Sequence, residues 1–196
     1  ALVDTFGVTS PHAMQYFVRQ VKSRIPQRLE AHFHQDFGMG VANTIMAVAE
    51  GVEVIHSTVL GVGERAGNTP MEETVLALLT MYGQDIGIKT EKLYELAMLV
   101  QEISGQSIPS NRPVSGDRVF DVESGIIATW LNNCGHEYQT ELFPYRPELI
   151  GREPARVVMG KGSGIDSVKW KLEQMQMPSN DEQVMAVLQA VKQFGL

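Results

Sequence analysis

Two histidines one residue apart, His32 and His34, close the apolar run 28–33. Alternate residues of a strand share a face, so this spacing turns both imidazoles to one side and offers two neutral nitrogens to a single cation. An isolated His-x-His is at least as often a polar strand end whose rings are satisfied by hydrogen bonds, because histidine is intermediate in burial preference. Here the surroundings favour chemistry. A second apolar run, 52–60, leads into the glycine-rich turn Gly61-Val62-Gly63-Glu64-Arg65-Ala66-Gly67-Asn68, and Asp4-Thr5 follows the short apolar opening of the chain. Three strand ends would then deliver polar groups to one mouth.

The elements that must position these groups alternate. Residues 1–3 read as a short strand, and Pro11 opens a helix whose Met14, Phe17, Val18, Val21 and Ile25 form one inward stripe. Strand 28–33 is followed by a small-residue helix over 38–50, with Val41, Ile45, Val48 and Ala49 inward. Strand 52–60 is followed by a helix over 70–80. Such alternation implies parallel strands with crossover helices, and ligands in such folds sit beyond the carboxyl ends of the strands. A further helix spans 89–104, with Leu93, Leu96, Ala97, Val100 and Ile103 in register. Residues 105–116, rich in Gly, Ser, Pro and Asn, mark a linker. The expected division is therefore 1–104 for the sheet part, 105–116 for the linker and 117–196 for a small, mostly helical subdomain without a sheet of its own. Helices are expected there over 123–133, 164–176 and 181–194, the last capped by Asn180, with 137–152 irregular.

Bulk composition excludes several classes. With 43% hydrophobic and 20% charged residues the chain is an ordinary soluble type, and no apolar run reaches the ~20 residues of a membrane span. A net charge of −7 with scattered lysines and arginines argues against nucleic acid. Cys134 is the only cysteine, which rules out an intrachain disulfide or a thiolate metal cluster and fits a small buried hydrophobe in a reducing compartment. The expected location is the cytoplasm, or an organelle if a targeting segment precedes Asp4.

The run His32-Phe33-His34-Gln35-Asp36-Phe37-Gly38, then Ala42-Asn43, then Gly61-x-Gly63-Glu64-Arg65-Ala66-Gly67-Asn68, resembles the last strands of a family of metal-dependent carbon–carbon bond enzymes. That family includes the 2-isopropylmalate, homocitrate and citramalate synthases and the hydroxymethylglutaryl-CoA lyases. Asp4-Thr5-Phe6-Gly7-x-x-x-Pro11 is similar to the strand preceding its histidine strand. Glu123-Ser124-Gly125, Pro147-Glu148-Leu149-Ile150-Gly151 and Gly160-Lys161-Gly162-Ser163-Gly164 resemble the region after the barrel in the synthases. The resemblance implies an α/β fold holding the last three strand–helix units of a TIM (β/α)8 barrel, with the first five strands absent from this chain.

For the site, the resemblance implies that His32 and His34 ligate a divalent metal. Mixed nitrogen and oxygen ligation suits Mg²⁺, Mn²⁺ or Zn²⁺. Asn68 is either a further oxygen ligand or a brace for its turn. Thr5 would donate its hydroxyl to the substrate carboxylate, while Asp4 is structural. Asp36 and Asn43 would orient the histidines, and Glu64 and Arg65 would form an ion pair holding the turn. The implied substrates are a 2-oxo acid and an acyl-CoA, and the implied assembly is a homodimer, with Trp130, Phe143, Tyr145 and Trp170 as interface or core positions.

The chain also departs from the family. The synthases carry His-Glu-Ser-Gly-x-His where this chain has Val122-Glu123-Ser124-Gly125-Ile126-Ile127. Leu142 stands for an expected tyrosine, and Gly162 for a histidine. The first lost histidine is the family's acid–base group for enolising acetyl-CoA. Either His136 or Tyr138 substitutes, or both are plain surface residues and the chemistry differs. The expected function is thus condensation of an acyl-CoA with a 2-oxo acid. The alternatives are a lyase or aldolase working without acetyl-CoA, and a non-catalytic relative.

Overall fold

The computed structural model of the chain describes residues 1–194 and resolves two compact units, Ala1–Gly116 and Asp117–Leu196. In the first, strands β1 (Leu2–Asp4), β2 (Glu30–Phe33) and β3 (Val54–His56) form one parallel sheet in the order β1-β2-β3. Helices α1 (Pro11–Lys22), α2 (Gly40–Ala49) and α3 (Met71–Tyr82) follow the successive strands, and α4 (Leu93–Ser104) completes the unit. The α/β alternation read from the sequence is therefore present.

Period-2 patterning decides which face of the sheet is covered. Ala31 and Phe33 of β2 turn to one side and pack with Leu2, Met14, Val18, Leu29, Ala47 and Val52 in a core beneath α1 and α2. Glu30 and His32 turn to the other side. There Val3, His32 and His56 lie opposite one another in parallel register. This second face is open: Val3 is 51% exposed. Parallel sheets are normally buried on both faces, so a one-sided parallel sheet is unusual.

Local chemistry sets the element ends. Ser10 accepts a hydrogen bond from Ala13 N at the start of α1, and Pro11 occupies the first turn. The helix stops at Lys22, so Ile25 lies beyond it and is 42% exposed, while Phe17, off the narrow Met14–Val18 seam, is 41% exposed. The inward stripe predicted through Phe17 and Ile25 is thus narrower than the spacing suggests. Ile103, placed inward on α4, is likewise exposed, as is Ala49 on α2.

Strand 52–60 shortens to three residues, Val54–His56. The chain then bends into a 3-10 turn, Val59–Gly61, in which Leu60 adopts φ +58. The cause lies in α3, where Glu72, 1% exposed, accepts the Leu60 N–H on both carboxylate oxygens at 3.1 and 3.0 Å. The ladder has already ended by then, since Thr58 N bonds the Thr69 carbonyl, and the carboxylate satisfies the turn that follows.

The second unit carries a sheet the sequence reading lacked. Strands β4 (Asp121–Val122) and β5 (Arg156–Val157) pair in parallel, flanked by α5 (Gly125–Cys134), α6 (Ile165–Gln174) and α7 (Asp181–Phe194). Two-residue strands are too short to print a period on the sequence. Val122 and Val157 pack with Ala128 and Leu131, with Phe143 and Trp170 against them. Phe120 stacks edge-on with both Phe143 and Tyr145. Of the four aromatics set aside for an interface, only Trp130 is exposed, at 51%; Cys134 is half-buried rather than buried. At α7, Asn180 accepts from Gln183 N and donates its own N–H to the Gln183 side chain, a reciprocal cap. No helix among the described residues is long and apolar enough to cross a membrane.

Candidate functional site

The carboxyl ends of β1, β2 and β3 are drawn together by backbone contacts that only glycine permits. Gly7, at φ +60, leaves 2.8 Å between a would-be Cβ and the Asp36 nitrogen, so a side chain there would push the first two loops apart. Gly67, at φ +94, sits against the Gly61 carbonyl, and its own carbonyl accepts from Gln35 N. His34 and Asn68 pair as an isolated antiparallel bridge.

His32 lies within β2 and His34 one residue past its end, and their Nε2 atoms are 3.3 Å apart. Two imidazole nitrogens this close can both reach one divalent ion at the ordinary metal–nitrogen length of about 2.1 Å. The rings meet edge to face, with centroids 5.1 Å apart. Burial, then the neighbouring His34 and His56, push the His32 pKa below its ordinary value, which favours the neutral ring a metal needs. His34 is 9% exposed, and its Nδ1 has no hydrogen-bond partner among the described residues.

Asn68 donates from Nδ2 to the Val62 carbonyl at 3.2 Å, bracing its own turn, while its Oδ1 is buried without a partner. Buried acceptors are nearly always satisfied, so an orphaned amide oxygen on the residue bridged to His34 fits a cation site. Among the described residues no three histidine, cysteine or carboxylate side chains converge to hold an ion by themselves.

The charged residues around the pair are arranged differently from the sequence reading. Arg65 does not pair chiefly with Glu64, whose carboxylate is 3.9 Å away and exposed. Instead Arg65, at φ +57, donates to both oxygens of Asp36 at 2.9 and 3.1 Å and to the Thr5 carbonyl. The bidentate geometry of guanidinium on carboxylate explains the preference, and it holds the Asp36 carboxyl below its usual range. One arginine thus ties all three loops. Thr5 is exposed at this rim. Asp4 accepts from Val8 N and Thr9 N and shapes the first loop. Asn43 is fully buried and donates to the Thr9 carbonyl at 2.8 Å, so it anchors that loop rather than a histidine.

Sequence reasoning missed Glu72, which sets the Leu60 turn, and its companions Glu73 and Arg112, 3.4 Å apart. Burial pushes the Glu73 pKa up to about 6, with Glu72 adding to the rise and Arg112 opposing it. The two acidic residues open α3 behind Pro70, a first-turn pattern that marks a helix start but says nothing of burial. His56 was also missed, because it sits in a run read as apolar.

In the second unit Val122 is buried in β4. Glu123 accepts from Gly162 N at 2.7 Å, and a Cβ at Gly162 would lie 3.2 Å from the Glu123 carboxylate. Tyr138 is 57% exposed, and His136 is exposed with Nδ1 3.6 Å from Glu148.

Comparison with known proteins agrees with this fold. The HMGL-like family profile matches residues 1–100, and the homocitrate synthase post-HMGL domain-like profile matches residues 114–195. (R)-citramalate synthase CimA of Methanocaldococcus jannaschii is 38% identical over 192 residues, covering 98% of this chain and 38% of that protein. Homocitrate synthase AksA of Methanopyrus kandleri is 39% identical over 192 residues, covering 98% of this chain and 47% of that protein. The chain therefore spans less than half the length of either relative. An HMG-CoA lyase from Acinetobacter baumannii, solved in complex with coenzyme A and 3-methylmalate, superposes with a TM-score of 0.50 at 26% identity, over 55% of this chain and 37% of that one. With converging imidazoles at the end of a parallel sheet and a family profile over the whole of that unit's secondary structure up to residue 100, the chain belongs to the HMGL-like family.

Proposed function

We propose that the chain is part of a metal-dependent enzyme that forms a carbon–carbon bond by condensing an acyl-CoA with a 2-oxo acid. The observation that carries this reading is the 3.3 Å approach of His32 and His34 Nε2, with an unpartnered oxygen on Asn68, the residue bridged to His34, within a chain of this family. The names of the relatives, citramalate and homocitrate synthase, support the reaction class. The open sheet face supports a barrel completed by strands outside this chain.

His32 and His34 would hold a divalent cation, Mg²⁺, Mn²⁺ or Zn²⁺, with Asn68 Oδ1 as the oxygen donor this chain supplies. When bound, such an ion polarises a keto oxygen and stabilises negative charge developing there. The chain's own residues do the remaining positioning. Thr5 offers its hydroxyl at the rim for the substrate carboxylate. Arg65 holds the Thr5 and Asp36 loops at a fixed distance from the imidazoles, and preorganisation of this kind is what positions a reacting group.

A second reading, a lyase or aldolase acting next to a 2-oxo or 2-hydroxy acid without acetyl-CoA, is favoured by one observation. Val122 is packed in an apolar cluster and carries no proton-transferring atom, and Glu123 is engaged by Gly162. General acid–base help of the missing kind is worth roughly 10²–10⁴ in rate. A homodimer built through the second unit is supported by Ile126 and Trp130, one turn apart on α5 and 79% and 51% exposed.

The test is metal analysis of the full-length protein, together with thiol release from acetyl-CoA over a panel of 2-oxo acids. The first reading expects bound divalent metal and oxo-acid-dependent thiol release. Metal without thiol release selects the second reading. No metal and no turnover contradicts both.

A further inference from the structure

We infer that His56 is a positioning residue for the imidazole pair, bracketed by Glu30 and braced against the ring of His32. The inference rests on the metal reading above. His56 stands opposite His32 in the parallel register of β2 and β3, so both rings rise from the same face of the sheet. Their centroids are 5.6 Å apart and their planes are inclined by 67°, an edge-to-face contact. Glu30 lies two residues before His32 on that face, and its Oε2 is 3.3 Å from His56 Nε2. The carboxylate thus fixes which way the His56 ring turns, and the His56 ring in turn limits His32.

The opposite flank offers nothing comparable. There the register position belongs to Val3, which has no polar side-chain atom. His32 is therefore steadied by His56 from β3 and by His34 from its own strand. His56 is not a third ligand in this arrangement: its Nε2 is turned to Glu30, and no three metal-binding side chains converge among the described residues. Ligand imidazoles bind more tightly when neighbouring groups hold their orientation, because less rotamer freedom is lost on binding.

The experiment is a titration of Mn²⁺ into the full-length protein and its variants, followed by calorimetry. His56→Ala should weaken Mn²⁺ binding by about 10-fold or more, the scale of lost outer-shell support. His56→Phe keeps a flat ring against His32 but loses the contact with Glu30, so its loss should be smaller than that of His56→Ala. Should His56→Ala fail to fold, His56→Leu takes its place with the same expected loss. Wild-type affinity in the alanine or leucine variant overturns the inference and leaves the metal reading standing. A loss in His56→Phe as large as in His56→Ala also overturns it, because the ring contact with His32 then contributes nothing. Absence of Mn²⁺ binding by the wild type removes the inference and the metal reading together.

Discussion

Both units end a parallel strand in a glycine-rich loop, yet the two loops handle polar groups in opposite ways. At the end of β2 the loops leave His34 Nδ1 and Asn68 Oδ1 buried without partners. After β4, by contrast, the Glu123 carboxylate is answered by Gly162 N–H, and Gly160 N–H by the Ser163 hydroxyl. Leaving a buried polar atom unpaired costs about 1–3 kcal/mol, so folding alone does not favour the first arrangement. A cation held at His34 Nε2 would supply a partner for the Asn68 oxygen but not for His34 Nδ1, which lies on the other side of the ring. The loops of the first unit leave polar atoms unpaired, whereas the loop of the second is closed on itself.

The largest effect should come from breaking the open side. His34→Ala removes one of the two converging nitrogens, and metal affinity should fall by more than about 100-fold, beyond the range of outer-shell substitutions. Metal content after dialysis checks this. Next is the hidden support of the same region. Glu72→Ala leaves the Leu60 N–H buried and unpaired, and urea unfolding should report a loss of about 1–3 kcal/mol. On the closed side, Val122→His places an imidazole in an apolar cluster, so it should destabilise by about 1–3 kcal/mol and leave thiol release from acetyl-CoA no faster than in the wild type. Thiol release faster than that of the wild type would show that the two loops differ by one residue rather than in construction.

The smallest effect is a pH dependence. The Glu73 pKa is raised by burial to about 6, so folding favours its protonated form. Its contribution is therefore full below the unfolded carboxylate range and is lost as pH rises through about 6. Glu73→Gln should flatten the stability profile over that window by on the order of 1 kcal/mol after solvent screening. An unchanged profile would mean that Arg112 already neutralises Glu73.

What the sequence disclosed and what it concealed follow from range. The histidine pair was readable because i and i+2 share a strand face, and α7 because Asn180 and Gln183 cap it within four residues. The strand and helix order came from apolar spacing within single segments. Non-local choices were not readable. Nothing near Leu60 announces that a carboxylate twelve residues on takes its N–H and holds the turn after the strand. Arg65 has Glu64 beside it in sequence, but it bonds Asp36, whose loop the backbone of Gly7 brings within reach. His56 gained a role only when the register set it opposite His32. The β4–β5 pair is too short for any period.

The central claim is that His32 and His34 together hold one divalent ion. Pulsed electron paramagnetic resonance of the Mn²⁺-loaded full-length protein tests it most directly, because nitrogen nuclei bonded to Mn²⁺ modulate the echo. The account predicts nitrogen couplings from two imidazoles, one of them lost in His32→Ala and one in His34→Ala. Bound Mn²⁺ with no nitrogen coupling, or couplings unchanged in both variants, would contradict it.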